Sequence, residues 1–207
     1  MPEPTIVYVD GFNLYYGLRK TPEWRAFYWL NFPALFSRFI RSGQELKAVK
    51  YFSARPHDPE KSARQALLFQ ANTLDPRFQL HLGYYLQKDI QCYGCHRIIR
   101  RYEEKESDVR LATEIVADAY TKAAQTIILV SADGDMAPAV EHARRAGANV
   151  HIYFPPNLHS NALAKLGTTT LLGHYKSRFR QSLLPDVVHL PRFDACIPPK
   201  WKSYQQR

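Results

Sequence analysis

The stretch TIVYVDGFN, residues 5–13, decides the fold. Residues 5–10 are β-branched, aromatic or acidic, with no glycine or proline, and read as a strand. The apolar residues Ile6 to Val9 run on without alternating. A strand of that kind is covered on both faces, as in a parallel sheet. It ends on Asp10, and after Gly11 and Phe12 a helical pattern begins near Asn13 and runs to residue 20. A buried strand that passes at once into a helix is the first half of a βαβ unit.

Outward from this point the same alternation recurs. Strand-like runs occupy residues 45–52, 78–85, 126–131 and 149–154. Helical spacing occupies residues 32–41, 59–74, 108–124, 136–146 and 160–166, with Gly147 placed as a C-cap. On the helix at 108–124 the expected buried stripe is Val109, Ala112, Val116, Ala119 and Ala123. The whole predicts an α/β fold, a mostly parallel central sheet flanked by helices on both faces. Residues 88–102 interrupt the rhythm and read as a hairpin or loop. Beyond Leu172 the pattern fades, and Pro185, Pro191, Pro198 and Pro199 predict an extended wrap. The expected organisation is a domain over residues 1–175 and a basic, proline-containing C-terminal extension, 176–207, packed on or near it.

Composition narrows the function classes. With 207 residues, 45% hydrophobic and 23% charged, the chain is ordinary globular protein, neither disordered nor fibrous. It has no run of 18 apolar residues and no readable signal peptide, so no membrane association and a cytoplasmic location are the expectations. Three cysteines do not make a disulfide framework. The net charge is +9, of which residues 176–207 carry +5, from seven basic residues against two acidic ones. Such a balance suits a polyanion, since neutralised phosphates release counterions. The phosphate-binding and nucleophile-elbow motifs G-x-x-x-x-G-K-[ST], G-x-G-x-x-G and G-x-S-x-G are all missing from the sequence.

The acids fall in a telling pattern. Asp10 ends the first strand, Asp133 and Asp135 follow the strand at 126–131, and Asp108 opens the long helix. Ligands of open α/β sheets gather at the carboxyl ends of strands. If strands 5–10 and 126–131 are neighbours, four carboxylates share one crevice, where they repel and raise one another's pKa. A hard divalent cation relieves that repulsion through oxygen ligands. Each acid also has a local explanation: Asp133-Gly134 is a turn dipeptide, Asp135 a candidate N-cap, and Asp108 complements a helix dipole. A haloacid-dehalogenase-type phosphatase would need D-x-D on the first strand, where Phe12 stands instead.

Three motifs in this order carry a resemblance: Val9-Asp10-Gly11-Phe12-Asn13-Leu14-Tyr15, then Glu103-Glu104-Lys105 with Asp108-Val109 and Leu111-Ala112, then Ser131-x-Asp133-x-Asp135. Together they resemble the NYN domain family of the PIN-like nuclease superfamily. Phe154-Pro155-Pro156, Ser160 with Leu163, and Leu183-Leu184-Pro185-Asp186 resemble its LabA-like branch. The likeness extends over roughly residues 5 to 190. Ala132 and Gly134 depart from the family's usual glycine and its usual serine or asparagine.

The resemblance implies a Rossmann-like PIN/NYN fold and a nuclease that uses Mg2+ or Mn2+ to hydrolyse phosphodiesters, RNA in preference to DNA, leaving a 5′-phosphate. It implies metal ligation by Asp10, Asp108, Asp133 and Asp135. It gives Asn13 the part of orienting water or a substrate phosphate, and Ser131 a hydrogen bond within its loop. Pairing into a homodimer is common among such relatives. The competing reading is a catalytically silent NYN module that binds RNA or a protein partner in a regulatory role.

Two secondary signals remain. Arg100, Arg101 and Lys105 flank Tyr102 and lead into Asp108, a basic–aromatic pattern suited to a nucleic-acid strand. Tyr15, Tyr16, Trp24 and Trp29 could stack bases or fill a core. Cys92, Cys95 and His96 are candidate zinc ligands, with Cys196 or His81 as a distant fourth. A structural zinc site wants a second clear pair, which the sequence lacks, and a turn with reduced cysteines is the favoured reading.

Overall fold

The computed structural model describes residues 2–206. Its strands are β1 (Glu3–Asp10), β2 (Gln44–Ala54), β3 (Phe78–Gln91), β4 (Ile98–Lys105), β5 (Thr126–Val130), β6 (Asn149–Phe154), β7 (Thr169–Leu171), β8 (Val187–His189) and β9 (Asp194–Cys196). Its helices are α1 (Gly11–Arg19), α2 (Pro22–Arg25), α3 (Phe32–Ser37), α4 (Pro59–Asn72), α5 (Ser107–Tyr120), α6 (Ala137–Arg145), α7 (Asn161–Ala164), α8 (Lys176–Arg180) and α9 (Pro199–Gln205).

Seven strands form one sheet in the order β4-β3-β2-β1-β5-β6-β7, and only β4 runs antiparallel to its neighbour. The chain builds outward from β1 through β2 and β3, then returns to lay β5 on the other side of β1. The switch point therefore lies between β1 and β5, where such sheets open a crevice. The continuous apolar run of β1 has its physical reason here. Val7 and Val9 enter the core under α1 to α4, and Ile6 and Tyr8 enter the one under α5 and α6.

Several sequence expectations are corrected. The helix expected at 32–41 stops at Ser37, whose Oγ turns back to donate to the Pro33 carbonyl at 2.7 Å. The strand expected at 78–85 continues to Gln91; the interruption read at 88–102 as a hairpin or loop is a hairpin, and it is longer, with residues 84–91 pairing antiparallel to β4. Its turn closes with Cys92 N–H on the Arg97 carbonyl at 2.9 Å. The buried stripe of α5 is rotated from the expected one. Leu111, Ile115 and Ala119 are buried, whereas Val109 is 72% exposed. The reason is polar. Glu114 and Asp118 lie beside the buried face, where Lys50 Nζ of β2 donates to them at 2.6 and 2.5 Å. Tyr8 Oη adds a hydrogen bond to Asp118 at 2.5 Å. These acids anchor the helix to the sheet.

The C-terminal part is not an extended wrap. Phe179 of α8, Leu184, Val188, Ala195 and Ile197 join the core under α1 to α4. Trp29 Nε1 donates to the Pro185 carbonyl at 2.8 Å. Pro199 starts α9 rather than breaking a helix, because the first turn needs no N–H.

Candidate active site

β1 and β5 are paired in parallel, with Val9 opposite Val130, so Asp10 and Ser131 leave the sheet side by side. Asp10 is 4% exposed and caps α1, its Oδ1 accepting from Asn13 N–H at 2.9 Å. Its Oδ2 accepts from Asn13 Nδ2 at 2.6 Å and from Ser131 Oγ at 2.9 Å. Gly11 makes this entry possible. A Cβ there would stand 2.5 Å from the Phe52 carbonyl oxygen and from the Tyr51 ring.

The bonding continues across the crevice. Ala132 N–H donates to Asn13 Oδ1 at 3.2 Å, Asp133 N–H to Ser131 Oγ at 3.0 Å, and Asp135 N–H to Asp133 Oδ1 at 3.0 Å. Asp133, not Asp135, is thus the cap of the following turn. Asn13 and Ser131 tie the β1 and β5 loops into one unit.

Asp108 comes from the opposite wall, in the first turn of α5. That turn is pinned twice, by Ser107 Oγ donating to the Ser53 carbonyl at 3.1 Å and by Ser107 N–H donating to Glu104 Oε1 at 3.0 Å. Gly83 lets it approach, since a Cβ there would lie 2.3 Å from the Lys105 carbonyl oxygen. Glu106 precedes the helix with φ 77°.

The electrostatics are one-signed. Asp108 stands at the exposed rim, yet its carboxyl is pushed up to about 6. Desolvation comes first, then the charges of Asp10, Glu104, Asp133 and Asp135. Asp10 is also raised, by burial first and by Asp133, against the lowering effect of its hydrogen bonds.

An oxygen-only donor set fits a hard divalent ion. Among the described residues no three His, Cys, Asp or Glu side chains stand close enough to share one ion directly. The set could therefore serve only an ion that keeps most of its waters and takes one or two carboxylates, as Mg2+ does. A carboxylate offers about four acceptor positions, and Asp10 uses three within the protein.

The other expected residues scatter. Arg100 and Arg101 point to opposite faces of the β3–β4 hairpin, as neighbours on one strand must. Arg100 lies 4.0 Å from Asp89, and Lys105 pairs with Glu103 at 3.0 Å. Trp24 and Trp29 are core residues, whereas Tyr15 and Tyr16 are exposed. Cys92, Cys95 and His96 form the hairpin tip. His81 sits eleven residues back along β3 from Cys92, about 35 Å at 3.3 Å per residue, and stacks on Phe52. The sequence reading overlooked Glu104 as part of the acidic field. Its signal was the Glu103-Glu104-Lys105 motif itself; in the structure Glu104 pairs opposite Tyr85, on the Phe12 side of the hairpin.

The NYN domain model matches residues 4–170. The 6-hydroxy-3-succinoylpyridine 3-monooxygenase HspA of Pseudomonas putida (strain DSM 28022 / S16) is 30% identical over 179 residues, covering 69% of this chain. The chain spans 56% of that relative's length. A crystal structure of a Vibrio parahaemolyticus RIMD 2210633 protein of unknown function superposes with a TM-score of 0.56 at 23% identity, over 82% of this chain and 92% of that one. That likeness concerns the fold. The chain belongs to the NYN domain family, and with it to the PIN-like nuclease superfamily.

Proposed function

We propose that this NYN-domain protein is a metal-dependent phosphodiesterase acting on RNA, and we assign it to the LabA-like branch on its Phe154-Pro155-Pro156 and Leu183–Asp186 motifs. One observation carries the reading: Asp10 and the Asp133–Asp135 loop leave the carboxyl ends of the neighbouring strands β1 and β5, and their charges reach Asp108 in the first turn of α5. Of Asp10, Asp108, Asp133 and Asp135, one or two would hold Mg2+ or Mn2+ directly and the others through its waters. Such an ion, when bound, supplies positive charge to a phosphate oxygen and acidifies water.

The chain's own residues do the positioning. Asn13 and Ser131 fix the Asp10 carboxylate in one orientation, so no rearrangement is needed when a ligand arrives. The Ser107 bonds hold Asp108 across the crevice. The site accommodates a phosphodiester only with its charge neutralised, since bare carboxylates repel it.

The test incubates labelled single-stranded RNA and DNA with the protein in Mn2+, Mg2+ or EDTA, beside an Asp133→Asn variant. The expected result is cleavage that needs metal, prefers RNA and falls by about 10²-fold or more in the variant. Cleavage that persists in EDTA or in the variant would sink the mechanism. A second reading, a silent RNA-binding module, is favoured by the three hydrogen bonds already engaging Asp10. RNA binding without cleavage in either metal would select it.

A further inference from the structure

On the face carrying α1 and α4, next to the acidic edge, lies a cavity of about 500 Å³. That volume suits a ligand of nucleotide size. Arg19, Arg25, Lys61, Arg64 and Lys200 line it, and among the described residues no carboxylate does. The Arg64 side chain is only 17% exposed, and its partner Glu60, at 3.3 Å, stands 83% exposed in solvent.

Between these cations runs an aromatic ladder. Tyr15 stacks on Tyr28 with ring centroids 5.5 Å apart, and Tyr16 lies 5.6 Å from Tyr15 with half its surface in solvent. Trp201 of α9 closes the far side against Tyr28 at 5.7 Å. Cations interleaved with open aromatic faces are the features that hold an unpaired base and its phosphate.

The cavity adjoins the acidic edge through shared segments of chain. Gly11 and Phe12, which line it, directly follow Asp10, and Ser53, which also lines it, accepts the Ser107 hydroxyl beside Asp108. Lys200 and Trp201 belong to α9, outside the 4–170 domain match, so the far wall comes from beyond the matched NYN segment.

We propose that the cavity seats one unpaired nucleotide of the substrate strand beside the acidic edge, its base against Tyr15 and Tyr16 and its phosphates on Arg19, Arg64 and Lys200. The inference rests on the phosphodiesterase reading and sharpens it. A base inside a duplex has no free face for the tyrosines, so the substrate is single-stranded.

Anisotropy of a short fluorescein-labelled single-stranded RNA, read in EDTA, tests the seat without catalysis. Arg64→Glu and Lys200→Glu are expected to weaken binding about tenfold each and to lower the salt slope by about one. Tyr16→Ala is expected to weaken it about tenfold with the slope unchanged. Arg64→Lys should recover most of the affinity, which a folding defect would not allow. Wild-type affinity in Arg64→Glu, Lys200→Glu and Tyr16→Ala, or equal affinity for a duplex of the same length, would overturn the proposal. So would displacement of the RNA by a small aromatic carboxylate but not by a nucleoside monophosphate. The hydrolase reading fails separately: wild-type protein that binds RNA through the cavity in EDTA yet leaves it intact in Mn2+ keeps the seat and loses the reaction.

Discussion

Asp10 is held from three sides, by one backbone N–H and two side chains, within a field of other carboxylates. Its pKa and that of Asp108 are both raised above the ordinary 3.8, the latter to about 6. The folded protein therefore binds more protons here than the unfolded chain between about pH 4 and 6. This contribution to stability falls as pH rises through that window, and above it the repulsion is complete. Melting temperatures measured from pH 5 to 7.5, with and without MnCl2, check this. The metal should raise the midpoint at pH 7.5, by about 2.7 kcal/mol of stability at 100 times its Kd, and much less at pH 5. Equal metal shifts at both pH values would count against a carboxylate site.

At the scale of elements, two junctions position the chemistry. The first is β1 into α1, where Gly11 lies against the Phe52 carbonyl. Gly11→Ala must push a backbone oxygen aside, and urea denaturation should show a loss of about 1–3 kcal/mol. The second is the docking of α5, which carries Asp108. Lys50 is buried, and its ammonium joins β2 to Glu114 and Asp118 of α5. Lys50→Ala strands two acids against the sheet, with a loss of about 3 kcal/mol expected in the same measurement. Loss below 0.5 kcal/mol would mean water replaces the ammonium. Sequence periodicity misplaced this face of α5 because it treats every acid as solvent-facing. Which acids find a buried cation depends on a strand residue 64 and 68 positions away in the chain.

For the whole molecule, the family match ends at residue 170, but the core under α1 to α4 does not. Phe179 is fully buried, 5.1 Å in centroid distance from Trp24. Arg38 reaches Gln181 Oε1 at 3.0 Å and Ser182 Oγ at 3.1 Å. A chain ending at residue 175 would leave Trp24, Phe27 and Trp29 without this cover. Calorimetry should find no cooperative transition for it, whereas a chain ending at residue 198 should still melt cooperatively. A sharp transition in the shorter chain would show that the extension is an accessory.

The sequence by itself determined the alternation of strands and helices, because buried parallel strands and amphipathic helices write different periods into the chain. It also placed Asp10, Asp108, Asp133 and Asp135 at element ends, since acids there have no solvent-facing helix to decorate. It left residues 88–102 as a hairpin or loop and could not give the hairpin's full span, 84–105, because an exposed two-stranded arm has no buried face to set an alternation. Nor could it separate Arg100 from Arg101, or Tyr15 and Tyr16 from Trp24 and Trp29. Only the tertiary structure decided that β5 returns beside β1, and so brought the acids of distant segments into one field. Only it set Lys200 and Trp201 against α1 and α4. The physical reason is common to both. A local pattern records which side of an element is buried, but the identity of the element that covers it is a long-range choice.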